Sequence, residues 1–235
     1  MAKPIYLVGG SKGGVGKSIV TMALIDYLQQ RDQTVLLVET DTTNPDVWMC
    51  YRDEVETATL DLDEVDGWIA LINDCESQPD HPVIINTAAR NNHGVSVHGV
   101  TLDSTLTELQ RQLVTLWVIN RQRDSLELLK PFLEALPNAA VHVVRNLYFG
   151  ESSKFELYNH SHLRETLERA GGQTLDFPDV ADRVSDDLFG QRLSIARAAR
   201  DLPLGNRAEL ARWRNACARM FARISQEPAS ASAPA

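Results

Sequence analysis

Residues 5–18 read I-Y-L-V-G-G-S-K-G-G-V-G-K-S. The apolar run at the start of this stretch leads into glycines, which predicts a short buried strand, Ile5–Gly10, followed by a tight loop. Beyond Ser18, apolar residues recur at helical spacing as far as Gln30, which predicts a helix over residues 18–30. A strand, a glycine-rich loop and a helix in this order form the context of a phosphate-binding loop.

The loop itself, residues 11–18, matches the Walker A pattern at Gly16, Lys17 and Ser18, with Ser11 where a glycine usually stands. Glycines allow backbone N–H groups to converge on phosphate oxygens, and the start of the helix adds partial positive charge. Lys17 is predicted to hold the β and γ phosphates of ATP, and Ser18 to be a direct ligand of Mg²⁺. The predicted nucleotide-binding residues here are Gly13, Gly14, Val15, Gly16, Lys17, Ser18 and Ile19.

The rest of the chain alternates apolar strands with helical segments, which is typical of a doubly wound, mostly parallel α/β sheet covered on both faces. A helix is predicted over residues 124–136. Further strands are predicted at residues 34–38, 82–85, Leu113–Ile119 and 141–144, with a sixth before Phe177.

The 235 residues, 43% of them hydrophobic, contain no linker-like stretch. We therefore expect one domain over residues 1–226, followed by a disordered Pro/Ala/Ser-rich tail at 227–235. The sequence contains no run of 18 consecutive apolar residues, so no transmembrane segment is expected. The three cysteines have no C-x-x-C spacing, which favours a cytoplasmic location and argues against a structural metal.

Charge is distributed unevenly along the chain. Residues 46–80 contain eleven acids and one base, whereas residues 192–224 contain eight arginines and two acids. Two interpretations remain open: the C-terminal part meets an anionic partner such as DNA or a lipid surface, or the charges only solvate the surface.

A basic amphipathic helix is predicted over residues 206–224. Its apolar face could pack on the sheet, which we favour, or could make a peripheral membrane contact. The predicted apolar positions are Leu210, Trp213, Cys217, Met220, Phe221 and Ile224.

Lys12 completes the sequence K-G-G-V-G-K-S, and with it the chain resembles the deviant Walker A (ParA/MinD-type) P-loop ATPases, which include plasmid-partition and conjugation-associated members. The resemblance implies an ATP-dependent homodimer in which Lys12 reaches the partner's phosphates. It implies a nucleotide switch that positions or partitions cargo such as plasmid DNA, through DNA or a DNA-bound adaptor protein. The implied catalytic residues are Lys12, Lys17 and Asp41.

Further positions along the chain match this family. Asp41 corresponds to the family's aspartate that positions the attacking water and lies near Mg²⁺, with Glu39 as the first acid of the usual D-x-D. Asn146 stands where the family contacts the adenine edge. Phe177-Pro178-Asp179, followed by Val184, resembles the segment that closes over the base, so Pro178 is implied in cofactor binding.

The chain departs from the family at the end of the strand over residues 82–85. Asn86, followed by Thr87, Ala88 and Ala89, stands where the family has a Walker B aspartate that orients a Mg²⁺-bound water. An amide brings no charge, and the loss of such a partner costs about 10- to 100-fold in metal affinity or activity. ATP binding with slow hydrolysis is therefore predicted, and Asn86→Asp would be expected to raise the rate.

Three functional classes remain open at this point: a slow dimeric ATPase, a module that holds ATP without turnover, and a metabolic ligase of related fold such as dethiobiotin synthetase. Lys12 disfavours the ligase. The electron-transferring nitrogenase iron protein is excluded because no cysteine occurs between Glu76 and Ala216 to ligate its cluster.

Overall fold

The computed structural model describes residues 3–88 and 92–225. Its centre is a seven-stranded sheet in the order β3-β2-β4-β1-β5-β6-β7, with every neighbouring pair parallel. The predicted doubly wound α/β class is confirmed. The strands are β1 (Ile5–Gly10), β2 (Leu36–Glu39), β3 (Glu56–Thr59), β4 (Val83–Asn86), β5 (Leu113–Ile119), β6 (Ala140–Asn146) and β7 (Thr174–Phe177).

Helices cover both faces of the sheet. One apolar core lies under α1, α2 and α9 to α11, and a second lies under α3, α4 and α6 to α8. The helices are α1 (Lys17–Gln29), α2 (Asp46–Tyr51), α3 (Val65–Ser77), α4 (Asn92–Leu109), α5 (Asp124–Glu127), α6 (Leu129–Ala135), α7 (Glu156–Asn159), α8 (His162–Arg169), α9 (Asp182–Gly190), α10 (Ile195–Asp201) and α11 (Leu204–Phe221).

Strand β1 explains why the central strands are apolar throughout. Successive side chains of a strand point to opposite faces, and both faces here are covered. Tyr6 and Val8 belong to one core, while Ile5 and Leu7 belong to the other. All four side chains are buried, which explains why hydrophobic residues occupy both positions of the alternation.

Two elements differ from the sequence prediction. Strand β3 was not predicted, because its sequence E-T-A-T is polar and half exposed; it lies at the sheet edge and pairs with β2. The single helix expected over residues 124–136 is two helices, α5 and α6, which meet at Leu128. The predicted tail at 227–235 lies outside the described residues.

Helix α11 packs on the sheet through its apolar face, which was the favoured alternative. The indole ring of Trp213 meets the Phe177 ring edge to face at 5.7 Å, and Phe221 contacts Tyr27 of α1 with ring centroids 5.4 Å apart. On the same helix, Arg214 forms an ion pair of 2.7 Å with the buried Asp26 of α1. Within residues 3–88 and 92–225, no helix combines the length and the hydrophobicity that a bilayer crossing requires.

Candidate functional site

The phosphate-binding loop joins β1 to α1 at the carboxyl edge of the sheet. Gly16 caps α1 with a left-handed φ of 102°, and a Cβ atom there would lie 2.3 Å from Nδ2 of Asn146. Both the dihedral angle and the close approach require glycine at this position. Gly14, with φ of 76°, also adopts the left-handed conformation.

The backbone N–H groups in the first turn of α1 are hydrogen-bond donors that point into this loop. The first N–H groups of any helix have no intrahelical acceptor, and Gly16 offers no side chain to cap them. The helix dipole adds partial positive charge at the same place. The start of α1, at Lys17 and Ser18, therefore has the electrostatic character of an anion site.

Lys17 is a buried cation whose ammonium has a carbonyl as its partner. Its side chain is 8% exposed, and Nζ donates to the backbone oxygen of Lys12 at 3.1 Å. Among the described residues, no carboxylate lies within 4.0 Å of Nζ. Burial lowers the pKa of the Lys17 ammonium to about 8, and the charge of Asp41 partly counters this. A cation this poorly compensated is suited to an anionic ligand.

A cavity of about 430 Å³ opens beside these groups. The structure brings most of the predicted site residues to its wall, but Lys12 and Val15 do not line it. The predicted residues on the wall are Gly13, Gly14, Gly16, Lys17, Ser18, Ile19, Asp41, Asn86, Asn146 and Pro178.

Asp41 lies in the loop that follows β2, on the cavity wall. Its Oδ1 accepts hydrogen bonds from the backbone N–H groups of Thr43, at 3.2 Å, and Asn44, at 3.0 Å. These bonds order the loop around the carboxylate. Its second oxygen is a candidate for contact with a metal-bound water.

Glu39 and Asn86 end the adjacent strands β2 and β4 and are register partners. Nδ2 of Asn86 lies 2.9 and 3.1 Å from the two carboxylate oxygens of Glu39, and Oδ1 of Asn86 accepts from Thr21 of α1 at 3.0 Å. Glu39 is fully buried. Desolvation raises the pKa of its carboxyl, opposed by hydrogen bonds from Asp41, Asn86 and Trp48.

On the side of the cavity predicted to hold the base, Asn146 has both ends of its amide engaged. Nδ2 donates to the carbonyl of Val15 at 2.9 Å, and Oδ1 accepts from the N–H of Tyr148 at 3.1 Å. Because an amide nitrogen carries two hydrogens, one remains for a base. The nearby Pro178 is held by α11, since Trp213 donates its indole N–H to the Pro178 carbonyl at 2.9 Å.

Lys12 points away from the cavity and towards α5. Its ammonium forms an ion pair of 2.7 Å with Asp124 and also contacts the side-chain oxygen of Gln122. Both ion-pair partners are partly exposed, with side chains 42% and 38% accessible. The side chain of Lys12 therefore lies apart from the cavity that most of the other predicted residues of the loop line.

Sequence reasoning missed several cavity residues. Tyr148 and Phe189 place aromatic rings on its wall, and Tyr148 is 64% exposed. Asn44 and Asp46 line the side near Asp41. No motif marks these positions, which come from three separate parts of the chain: the loop after β2 with the start of α2, the segment after β6, and α9.

The comparisons with known proteins agree with this geometry. A model of the CobQ/CobB/MinD/ParA nucleotide-binding domain matches residues 6–152. Protein MobD of Acidithiobacillus ferrooxidans is 63% identical over 227 residues, which are 97% of this chain and 100% of that protein.

Among solved structures, MinD of Aquifex aeolicus superposes with a TM-score of 0.56 at 12% identity, covering 95% of this chain and 98% of that one. A nucleotide-binding protein of Archaeoglobus fulgidus in complex with ADP superposes with a TM-score of 0.50 at 14% identity, covering 85% and 88%. These structures share the fold. Because the matched domain covers residues 6–152, more than half of the sequence, the chain belongs to the CobQ/CobB/MinD/ParA family of nucleotide-binding domains.

Proposed function

We propose that the protein is a Mg²⁺- and ATP-dependent switch that forms a homodimer when ATP is bound and hydrolyses it slowly. The observation that carries this proposal is Lys17: a buried ammonium with a lowered pKa, partnered by a carbonyl and facing a cavity at the start of α1. Such a cation fits the β and γ phosphates of a nucleotide.

The site residues also fit Mg²⁺ together with ATP. Mg²⁺ is usually held by one or two protein oxygens plus phosphates and waters, and the wall offers the Ser18 hydroxyl and the Asp41 carboxylate. Ser18 would be a direct ligand and Asp41 would act through water. Bound there, the ion would neutralise charge on the β and γ phosphates.

In the proposed homodimer, Lys12 contacts the nucleotide of the partner subunit. The ammonium now paired with Asp124 would turn to the partner's phosphates, where a second cation stabilises the charge that develops during phosphoryl transfer. An exposed ion pair is worth only about 0.2 to 1 kcal/mol, so Asp124 would not prevent this exchange.

The cargo is proposed from two features. The relative called MobD carries a mobilisation-type name, which favours the machinery that transfers plasmid DNA. Arg212 and Arg219 of α11 are exposed while the apolar face of the helix lies in the core, so DNA or a DNA-bound adaptor protein would meet charge rather than an apolar surface. A peripheral membrane contact through residues 206–224 would have to use the same arginines. We place the protein in the cytoplasm, where its three free, buried cysteines would stay reduced.

A second candidate function is an ATP-holding module without turnover. The amide of Asn86 at the end of β4 favours it, because this amide supplies no charge to the metal. The two candidates share nucleotide binding and differ in phosphate release.

Sedimentation velocity with ATPγS or ADP, both with Mg²⁺, tests the switch. We expect ATPγS to convert the unaltered protein to a dimer and ADP to leave it monomeric. Lys12→Ala should keep the affinity of the monomer for ATP but lose the dimer, and should lower turnover by about 10²- to 10³-fold, the scale of one preorganised donor. A dimer and a phosphate-release rate equal to those of the unaltered protein would show that Lys12 is only a loop lysine.

Asp124→Asn is the matched control for Lys12→Ala. It leaves the lysine in place and removes its charged partner, so the dimer should form at lower protein concentration, by about two- to fivefold. If both variants weaken the dimer equally, their effect comes from a disturbed loop rather than from the lysine.

The affinity for ATP should fall as the pH rises above about 8. Burial holds the pKa of Lys17 at about 8 in the empty site, and a bound phosphate would raise it because an opposite charge favours the ammonium. Above about pH 8 the empty protein must therefore take up a proton to bind, which costs about tenfold in affinity per pH unit until the pKa of the complex is reached. Calorimetry in two buffers of different ionisation enthalpy counts these protons. Binding without proton uptake above that pH would contradict the assignment.

A further inference from the structure

The ends of β2 and β4 carry a carboxylate and an amide in direct contact. Glu39 and Asn86 are opposite each other in the parallel register, and both oxygens of Glu39 lie within 3.1 Å of Nδ2 of Asn86. Glu39 is fully buried, whereas Asn86 reaches the cavity wall. A negative group therefore lies directly behind the cavity, one strand away from Asn86.

The surrounding contacts fix the orientation of the Asn86 amide. A carboxylate can only accept, so Nδ2 must face Glu39, which leaves Oδ1 towards the hydroxyl of Thr21 at 3.0 Å. The same hydroxyl also reaches the carbonyl of Lys17 at 3.0 Å. The chain from Glu39 through Asn86 and Thr21 ends on the first turn of α1, beside Ser18.

Glu39 also holds the loop that carries Asp41. Its Oε1 accepts the backbone N–H of Asp41 at 3.1 Å. One buried carboxylate thus connects to both segments that face the metal side of the cavity, Asn86 on β4 and Asp41 after β2. Hydrogen bonds to a charged group are stronger than those between neutral groups.

We propose that Glu39 supplies the negative charge that the amide of Asn86 lacks, so that this one buried acid serves the metal side of the cavity, where the related ATPases have acids at the ends of both β2 and β4. Glu39 is then a positioning residue: it acts through Asn86 and the Asp41 loop on a metal held with the nucleotide. The inference rests on the proposed function, in which this cavity takes Mg²⁺ with ATP.

The contact between Glu39 and Asn86 reverses the expectation for Asn86→Asp. From sequence, restoring an aspartate at the end of β4 should help. In the structure the new carboxylate would stand about 3 Å from that of Glu39, and like charges so close repel strongly in a buried site. We expect Asn86→Asp alone to destabilise the protein, and the double variant Glu39→Gln/Asn86→Asp to regain the lost stability, because glutamine can donate to the new aspartate.

The decisive measurement is the ratio of ATPγS affinities in excess Mg²⁺ and in excess EDTA, by calorimetry. This ratio reports how well the bound complex holds the metal and needs no turnover. We expect Glu39→Gln to lower it by about 10- to 100-fold, the usual effect of losing a group that orients a metal's ligands. The double variant should return the ratio to about the value of the unaltered protein, since the coupled pair is restored.

Asp26→Asn is the matched control, because Asp26 is also a buried carboxylate, on the far end of α1 and paired with Arg214. It should lower the melting temperature and leave the Mg²⁺ ratio unchanged. A Glu39→Gln protein that behaves like Asp26→Asn would overturn the proposal and make Glu39 purely structural. A double variant that stays at the low ratio of Glu39→Gln would show that a carboxylate at the end of β4 cannot replace Glu39, and would overturn the proposal that Glu39 acts through Asn86.

These failures can be told apart from a failure of the proposed function. If the unaltered protein binds ATPγS more tightly with Mg²⁺ than with EDTA, the site is a metal–nucleotide site whatever Glu39 does. If the unaltered protein binds no ATPγS under either condition, both the function and the role of Glu39 are wrong.

Discussion

Lys17→Met should abolish detectable ATP binding and should also raise the melting temperature of the nucleotide-free protein. The two effects have one cause: in the nucleotide-free protein, the positive charge of the buried Lys17 ammonium is compensated only by a backbone carbonyl. Losing its charged hydrogen bonds to two phosphates should cost at least about 3 kcal/mol, which is more than 100-fold in affinity.

The stability gain follows from removing the buried charge. The lowered pKa of Lys17 implies a penalty of about 1 to 3 kcal/mol at neutral pH, and methionine fills a similar volume without that charge. A domain of this size gains about 2 to 4 °C in melting temperature per kcal/mol. Calorimetry with ATPγS and thermal unfolding without nucleotide measure the two effects.

Lys12→Met is the control for Lys17→Met, since it makes the same substitution five residues away on a side chain that is 42% exposed. It should change neither the melting temperature nor the affinity of the monomer for ATP. If Lys17→Met binds ATPγS as the unaltered protein does, the phosphate site is misplaced. If it unfolds at a lower temperature, the ammonium is better compensated than its contacts indicate.

Arg111→Met should destabilise the protein by about 3 to 5 kcal/mol, comparable to breaking a buried charged network. Arg111 is 5% exposed, and its guanidinium donates hydrogen bonds to backbone carbonyls of three segments at the amino edge of the sheet, opposite the proposed nucleotide site. Methionine would leave these oxygens buried without a donor, which costs about 1 to 3 kcal/mol for each one that water cannot reach. The acceptors are the carbonyl oxygens of Lys3, Pro4, Cys75, Gln78 and His81.

Urea unfolding monitored by circular dichroism measures this loss, with Arg219→Met on the exposed side of α11 as the control. An exposed substitution should stay within about 0.5 kcal/mol of the unaltered protein. At urea concentrations where Arg111→Met is folded, its affinity for ATPγS should be unchanged, because the cavity lies at the other edge. A destabilisation below about 1 kcal/mol would mean that water replaces the guanidinium at this edge.

Elements with strong apolar patterns could be predicted from sequence, and those without could not. The runs that form β1 and β5 contain only buried positions, so they stand out in any sequence. Strand β3 forms because its backbone pairs with β2 at the sheet edge, and its exposed Glu56 and Thr59 leave no pattern to detect. The break between α5 and α6 was missed because apolar residues continue through Leu128.

The residues of the candidate site also divide into those that could be predicted from sequence and those that could not. Residues 13–19 were predicted together because one short loop brings them together whatever the rest of the chain does. The cavity wall also includes Asn146 and Pro178, as the family resemblance implied, but their partners were not foreseen. The amide of Asn146 holds the carbonyl of Val15, and the carbonyl of Pro178 is held by Trp213 of α11.

By itself, the sequence determined what depends on neighbours along the chain: the phosphate loop, its glycines with left-handed φ, the start of α1 and the alternation that makes a covered parallel sheet. Only the tertiary structure decided which strand ends became neighbours. Glu39 meets Asn86 across 47 positions, and Lys12 meets Gln122 across 110. Periodicity marks where a strand ends but not which strand lies beside it, because that order follows from how all the helices bury their apolar faces on the sheet. The carboxylate behind Asn86 could therefore be found only in the folded protein.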